Sequence, residues 1–404
     1  KGRVTPLANN RFFLHIAAYF RRIDKILWLL MLAIAAFSLL LLKSVSRATA
    51  TDYFQTQLFV TILGLVAAVA LSSIDYEGIA SFWLLLAGFS FFLMLYTIFF
   101  GVSVQGGGGV DARAWISIAG RTFQTSELVK ILFMITYSKH IAILRERGLI
   151  RKPGQVMLLA AHAAVPVLLC HFQGDDGAAI VFFAMFLCMS LAGGVQIRYF
   201  VLLGALVAVS VPILWNFVLS EYQIKRFTSV YNLDDPAVQL DEGYQQYQGR
   251  LSIGSGQLTG KGLFSGPRVE SNYVTFQHSD YIFSVAGEEL GFLGCTAIIL
   301  LLLFYLLRVL YIASKARDDL GRCMCFGFFG LIALQSVPNI GMCLALLPVM
   351  GVTLPFFSAG GSSAICLYLG FGLVQSVYMR RSGVEGPRLH SARSLKINFR
   401  KLKV

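Results

Sequence analysis

Hydrophobic positions along this chain gather into ten long runs. They lie at about 24–43, 54–74, 79–101, 125–144, 155–172, 177–195, 198–218, 281–307, 322–345 and 355–379. Each approaches the roughly 20 apolar residues that a helix needs to cross a hydrocarbon core. The pattern predicts an all-α polytopic membrane protein with about ten transmembrane helices. Only FQGDDG separates the fifth and sixth runs, so they are expected to form a tight helical hairpin. No signal-peptidase pattern follows the first run, and its basic flank (Arg21, Arg22, Lys25) reads as an uncleaved anchor.

Composition agrees with that class. Of the 404 residues, 56% are hydrophobic and only 14% charged, against about a quarter charged in a soluble domain. The seven cysteines lie in or beside apolar runs, so no disulfide framework is implied. Cys323 and Cys325 read as a packing pair at a helix end in preference to a metal pair.

The net charge of +13 is a topological signal. With both termini on one side, that side receives Arg21, Arg22 and Lys25, then Lys139, Arg145, Arg147, Arg151 and Lys152, then Arg308, Lys315, Arg317 and Arg322. It also receives the basic tail, and the positive-inside rule makes it cytoplasmic. The expected layout is a cytoplasmic segment over 1–23, a ten-span membrane domain over 24–379 and a basic cytoplasmic tail over 380–404, the tail suited to anionic membrane lipids. No basic soluble domain exists to bind nucleic acid.

Two outer loops hold the unusual sequence. The first, about 102–124, opens with Gly106–Gly109, a flexible stretch, and continues through Trp115, Ile116 and Ile118, which suggest a segment lying at the interface. The second, about 219–280 between spans seven and eight, mixes aromatics, glycines and charges, and a loop of that length reads as functional. At its end Asp280, Glu288 and Glu289 crowd the start of an apolar run. On insertion scales each carboxylate costs roughly 2.5–3.5 kcal/mol at a helix centre, so partners or chemistry must justify them.

Motifs now become specific. LSIGSGQLTGKG (251–262) followed by HSDYIFSVAGEELGFLG (278–294) resembles the signature of the SEDS family, the shape, elongation, division and sporulation proteins of bacterial cell-wall synthesis. WISIAGRTFQTSELVKI (115–131), FQGDDGAAIVF (172–182) and LPVMGVTLPFFSAGGSS (347–363) resemble further family motifs in the family's order. Departures include Gly174, Thr125 and Ala359 at positions where the family has proline, proline and tyrosine, and Asp176 where it has leucine.

The resemblance implies a SEDS-type fold and a peptidoglycan glycosyltransferase that polymerises lipid II at the outer face of the bacterial cytoplasmic membrane. It also implies a class B penicillin-binding protein as the partner that supplies the transpeptidase. A flippase for the same lipid precursor and a non-catalytic scaffold are the alternatives. A flippase should need polar residues through the membrane depth, whereas the richest cluster in this sequence lies at the outer surface.

Such a polymerisation has a sugar hydroxyl attack an anomeric carbon and expel a lipid pyrophosphate. A carboxylate can take the hydroxyl proton, and cations or a divalent metal (Mg or Mn) can stabilise the leaving group. The family's essential aspartate carries over to Asp280, and the bland alternative is a helix N-cap, a task open to Ser279 as well. His278 is a candidate ligand beside Asp280 or a hydrogen-bonding residue; two ligands do not define a metal site.

Further candidates surround it. Glu288 and Glu289 point about 100° apart and need different partners, with Lys130 one expected example. Glu127 and Lys130 form an i,i+3 pair that is either local or part of a cavity wall. Asp175 is a hairpin-tip residue or a support for the cavity. Arg113, Arg226, Arg250, Lys261 and Arg268 are the outer cations, and motif context favours Arg113 and Lys261. Gly360, Gly361, Ser362 and Ser363 suggest close helix packing or a break lining the cavity. The glycine-rich 251–262 segment lacks Walker A spacing and reads as a tight turn lining the site.

Overall fold

The computed structural model of the chain describes residues 17–103, 112–118, 120–217 and 221–381. Gly106–Gly109, residues 1–16 and the basic tail beyond 381 lie outside the described residues.

Each of the ten apolar runs is a helix. The order begins α1 (Lys25–Ala48), α2 (Tyr53–Ser73), a short α3 (Tyr76–Ala80) and α4 (Trp83–Phe100). A hairpin follows, β1 (Trp115–Ile118) and β2 (Arg121–Gln124), then α5 (Thr125–Glu146), α6 (Pro153–Phe172), α7 (Asp176–Gly193) and α8 (Ile197–Phe217). The long connection between α8 and the next span holds α9 (Glu221–Thr228), α10 (Pro236–Leu240), α11 (Tyr244–Gly256) and α12 (Pro267–Glu270). The bundle ends with α13 (Ile282–Lys315), α14 (Asp319–Cys343) and α15 (Gly361–Met379).

Aspartates start many of these helices. Asp24, Asp52, Asp175 and Asp318 each accept the amide three residues on, satisfying one of the orphan donors of a helix N-terminus. Asp24 does more than cap. Its buried carboxylate receives both Arg308 Nε and Nη2 from α13 at 2.6–3.1 Å, and its backbone exchanges hydrogen bonds with the Gln375 amide of α15. Three helices are tied at the basic end of the bundle by that one residue.

Among the described residues nine helices are long and apolar enough to cross a membrane. The protein is a multi-pass membrane protein. The tenth expected span, α5, carries Glu127, Lys130 and Lys139 and is placed by burial against α4, α7, α14 and α15. Conversely, α8 is apolar, yet the middle of the helix is exposed on every side and only its start, at Tyr199 and Phe200, packs on the core. The last span begins at Gly361 because residues 350–360 form an irregular loop. The hairpin β1–β2 is the single departure from an all-α fold among the described residues; Trp115 pairs with Gln124 in its ladder, so the expected interfacial segment is a two-stranded ribbon.

The largest difference from expectation is in the eighth span, which is longer than 281–307 and broken. Gly291 has φ 64° and ψ −157°, a conformation that only glycine adopts readily. The break frees backbone groups that water cannot satisfy in a hydrocarbon layer. Residues 257–262 satisfy them: Phe292 N donates to Gln257 O at 2.8 Å and Leu293 N to Leu258 O at 3.2 Å. In return Lys261 N and Gly262 N donate to Glu288 O and Glu289 O at 2.9 and 3.0 Å. The glycine-rich segment is therefore half helix (the end of α11) and half a backbone splint.

Splinting demands close approach. Gly260 has φ 83°, and a Cβ there would overlap the Glu289 carbonyl. Gly260→Ala is expected to cost about 1–2 kcal/mol from the left-handed backbone alone, with the overlap adding to it. Thermal unfolding of the purified protein in detergent should show a lowered midpoint.

Candidate active site

Asp280 sits one residue before the N-cap position of α13, which Tyr281 occupies with no side-chain cap bond. The capping alternative is therefore not what its carboxylate does. Three successive carbonyls of the turn are held instead. Ala359 N donates to His278 O at 2.8 Å, Ser358 Oγ to Ser279 O at 2.6 Å, and Asn339 Nδ2 to Asp280 O at 2.7 Å. Asn339 also donates to Val352 O at 2.7 Å. One buried amide thus fastens the His-Ser-Asp turn to the 350–360 loop, fixing the backbone without using the carboxylate as a helix cap.

Electrostatics around Asp280 are mixed. Burial pushes its carboxyl up to about 6, against the opposing pull of the Arg226 charge and a hydrogen bond with Ser279. The side chain keeps some accessible surface, so dense surrounding protein, and not complete sealing from water, accounts for the rise. Near neutrality the group is mostly carboxylate with a raised basicity, the condition that suits a general base. His278 stacks on Tyr53, centroids 4.2 Å apart and planes 11° apart, and burial lowers its pKa. Among the described residues no three His, Cys, Asp or Glu side chains gather as a metal site.

A second polar group lies at the N-terminal end of α5. Glu127 and Lys130 are buried and pair at 2.8 Å. Asp175 is no solvated turn: it caps α7 and accepts Gln124 Nε2 at 2.7 Å and Ser126 Oγ at 3.1 Å. Ser362 Oγ accepts the Gln124 amide at 3.4 Å, and Ser363 follows it half-buried on α15. Gln124 thus joins Asp175 and Ser362 at the N-terminal ends of α5, α7 and α15, and the Glu127–Lys130 pair follows in the first turns of α5.

Other expectations are corrected. Lys130 does not reach Glu288 or Glu289. Glu288 instead accepts the Arg268 amide at 2.7 Å, and Glu289 accepts the Ser44 hydroxyl of α1, so both brace the 260–270 loop. Arg113 is exposed before β1, and Lys261 is recruited by its backbone to the α13 splint. Arg226, from α9, is the cation whose field reaches Asp280. Sequence reasoning did not single out Asn339 or Ser358; their only sequence signals are an amide inside an apolar helix and a serine in the 347–363 motif.

The cell-cycle protein family typified by FtsW, RodA and SpoVE matches residues 24–383. The chain belongs to it, the SEDS family. It is 31% identical over 364 residues to peptidoglycan glycosyltransferase MrdB of Escherichia coli K12, covering 89% of this chain and 94% of that protein. A chain from a peptidoglycan synthase complex that coordinates polymerization and crosslinking superposes with TM-score 0.75 at 25% identity, covering 90% of this chain and 99% of its own. Thermus thermophilus RodA, the rod shape determining protein, gives 0.65 at 26% identity, with 90% and 98% covered. The SEDS fold of this chain is thus supported along nearly its whole length.

In this SEDS protein the Glu127–Lys130 pair is sealed, so Glu127→Ala strands a buried ammonium and is expected to cost about 3–5 kcal/mol. Glu127→Ala with Lys130→Met should recover a good part of that loss. A double-mutant cycle on unfolding in detergent measures it; equal losses in the single and double variants would contradict the pairing.

Proposed function

We propose that the protein is a peptidoglycan glycosyltransferase that polymerises lipid II into glycan strands, with Asp280 as general base. The observation that carries this reading is a carboxylate with a rigidly held backbone, unspent on capping, raised in basicity and within the field of Arg226. In the step, the acceptor hydroxyl oxygen bonds to the donor anomeric carbon as the bond from that carbon to the pyrophosphate oxygen breaks. The electron pair leaves with the lipid pyrophosphate, and the hydroxyl proton passes to Asp280. Were a Mg or Mn ion to take part, Asp280 would hold it together with substrate phosphates, and such an ion would supply charge stabilisation of the leaving group.

The distribution of lysine and arginine supports an extracytoplasmic site with both termini cytoplasmic. Lipid II carries its disaccharide on that side, where both reactants stay tethered by their lipids. A class B penicillin-binding protein is the proposed partner, because this chain offers no convincing serine-lysine acyltransferase site and its structural relative works in a synthase complex. One set of observations favours lipid transport: Glu127–Lys130 and the His140–His162 contact at 3.2 Å put polar groups below the surface. Both are closed pairs, which suits a structural role better than a conduit.

The test is lipid II polymerisation by the purified complex. Asp280→Asn is expected to lose about 10²–10⁴-fold in rate, with the fold retained. The native rate should fall as pH drops through about 6, since protonation removes the base. Undiminished strand synthesis by the folded Asn variant would end the base assignment, and no synthesis by the intact native complex would revive the transport reading.

A further inference from the structure

The outer cations differ sharply in what already holds them. Arg250 pairs with Asp234 at 3.0 Å, and Lys225 with Glu242 at 3.8 Å. Arg268 is bound to Ser252 and Gln248 and lies over the Tyr273 ring at 4.8 Å, while Arg47 lies over Phe264 at 5.0 Å. Arg113 is exposed. Arg226 is half-buried and, among the described residues, has no carboxylate within 4.0 Å. Its charge nevertheless acts on Asp280 and Tyr281.

The guanidinium also lies close to the loop that holds the Asp280 turn. Its Nη2 lies 4.0 Å from where a side chain would start on Gly351, a position with φ 62° in the 347–363 motif. The same loop presents Val352 O to Asn339, which holds Asp280 O. A planar fork of donors therefore lies close to Gly351, the residue of that loop without a side chain, with its charge acting on the Asp280 carboxylate. A guanidinium matches phosphate oxygens in two-point geometry, which a lysine cannot reproduce.

We propose that Arg226 binds the pyrophosphate of the lipid-linked substrate, and that this engagement withdraws its positive charge from Asp280, so the base strengthens when substrate is bound. The proposal rests on the transferase reading above. In the free protein Arg226 favours the ionised carboxylate and keeps it a weaker base. A bound pyrophosphate neutralises the guanidinium and adds negative charge nearby, and both effects raise the proton affinity of Asp280. The proton then moves from the acceptor hydroxyl as the anomeric bond to pyrophosphate breaks, with the leaving electron pair received beside Arg226. Arg226 is thus a substrate-binding residue for the leaving group and a positioning residue for charge on the base.

Two readouts separate this from a merely structural role. The first is binding of farnesyl pyrophosphate, a short isoprenyl pyrophosphate, to the full chain in detergent, independent of turnover. Arg226→Gln is expected to weaken it about tenfold or more, the loss of charge-assisted bonds, and Arg226→Lys should retain an intermediate affinity. Melting midpoints of both variants should match the native protein. The second is the pH profile: the native acidic limb of kcat/KM, which reports the free protein, should lie below that of kcat, which reports the complex. In Arg226→Gln the kcat/KM limb should move up.

Farnesyl pyrophosphate binding unchanged in a folded Arg226→Gln protein overturns the assignment. Coincident native limbs, or a limb unmoved by Arg226→Gln, overturn the coupling. Active Asp280→Asn protein together with weakened binding in Arg226→Gln would remove the base and the coupling while upholding the pyrophosphate site. Absence of native polymerisation would sink the transferase reading, and the binding readout would still decide Arg226.

Discussion

A backbone amide in hydrocarbon has no water to turn to, and that constraint organises the half of this protein that holds Asp280. α13 breaks at Gly291, and four groups released by the break are taken by residues 257–262. That exchange obliges α11 to lie against the first turns of α13, with Gly256 packed close to the Gly287 carbonyl. The long outer connection is consequently drawn into the bundle. Glu288 and Glu289 complete the arrangement by bracing the 260–270 loop and α1, so their burial serves the splint.

The Asp280 turn inherits its rigidity from the same design. On one side it leads into the splinted half of α13; on the other its carbonyls are held by Asn339, Ser358 and Ala359. A residue held through its backbone keeps its side chain for other work. This division of labour suits general-base chemistry, where a displacement of an ångström is expensive in rate. The Glu127–Lys130 pair, Asp175 and Ser362 shape the neighbouring helix ends by the same means, with charges satisfied by near neighbours instead of by solvent.

The opposite end of the bundle shows a different solution. Asp24 joins α1, α13 and α15, while Tyr76 donates to Asp318 and Arg145 pairs with Asp319. Here solvent is near and the ties are ion pairs; at the outer site they are mostly backbone hydrogen bonds.

Much of this was legible in the chain itself. Ten apolar runs predicted ten helices because the length of a span is set by membrane thickness, and lysine and arginine placement suggested orientation for an equally local reason. Asp280 could be named from its motif. The break at Gly291 could not be seen, because a glycine within an apolar run reads as helix unless a partner for the freed amides is known. α5 was recognised as a helix although its charges lower its hydropathy, and its Glu127–Lys130 pair could be read from the i,i+3 spacing; the partners of Glu288 and Glu289, the Arg268 amide and Ser44, could not. Arg226 was one of five outer cations, indistinguishable by type. Which of them meets Asp280 depends on how a sixty-residue connection folds back, and that is decided by contacts between residues far apart in the chain. Sequence determined what must be buried and where chemistry could reside; only tertiary structure decided which polar groups were already satisfied and which remained to act.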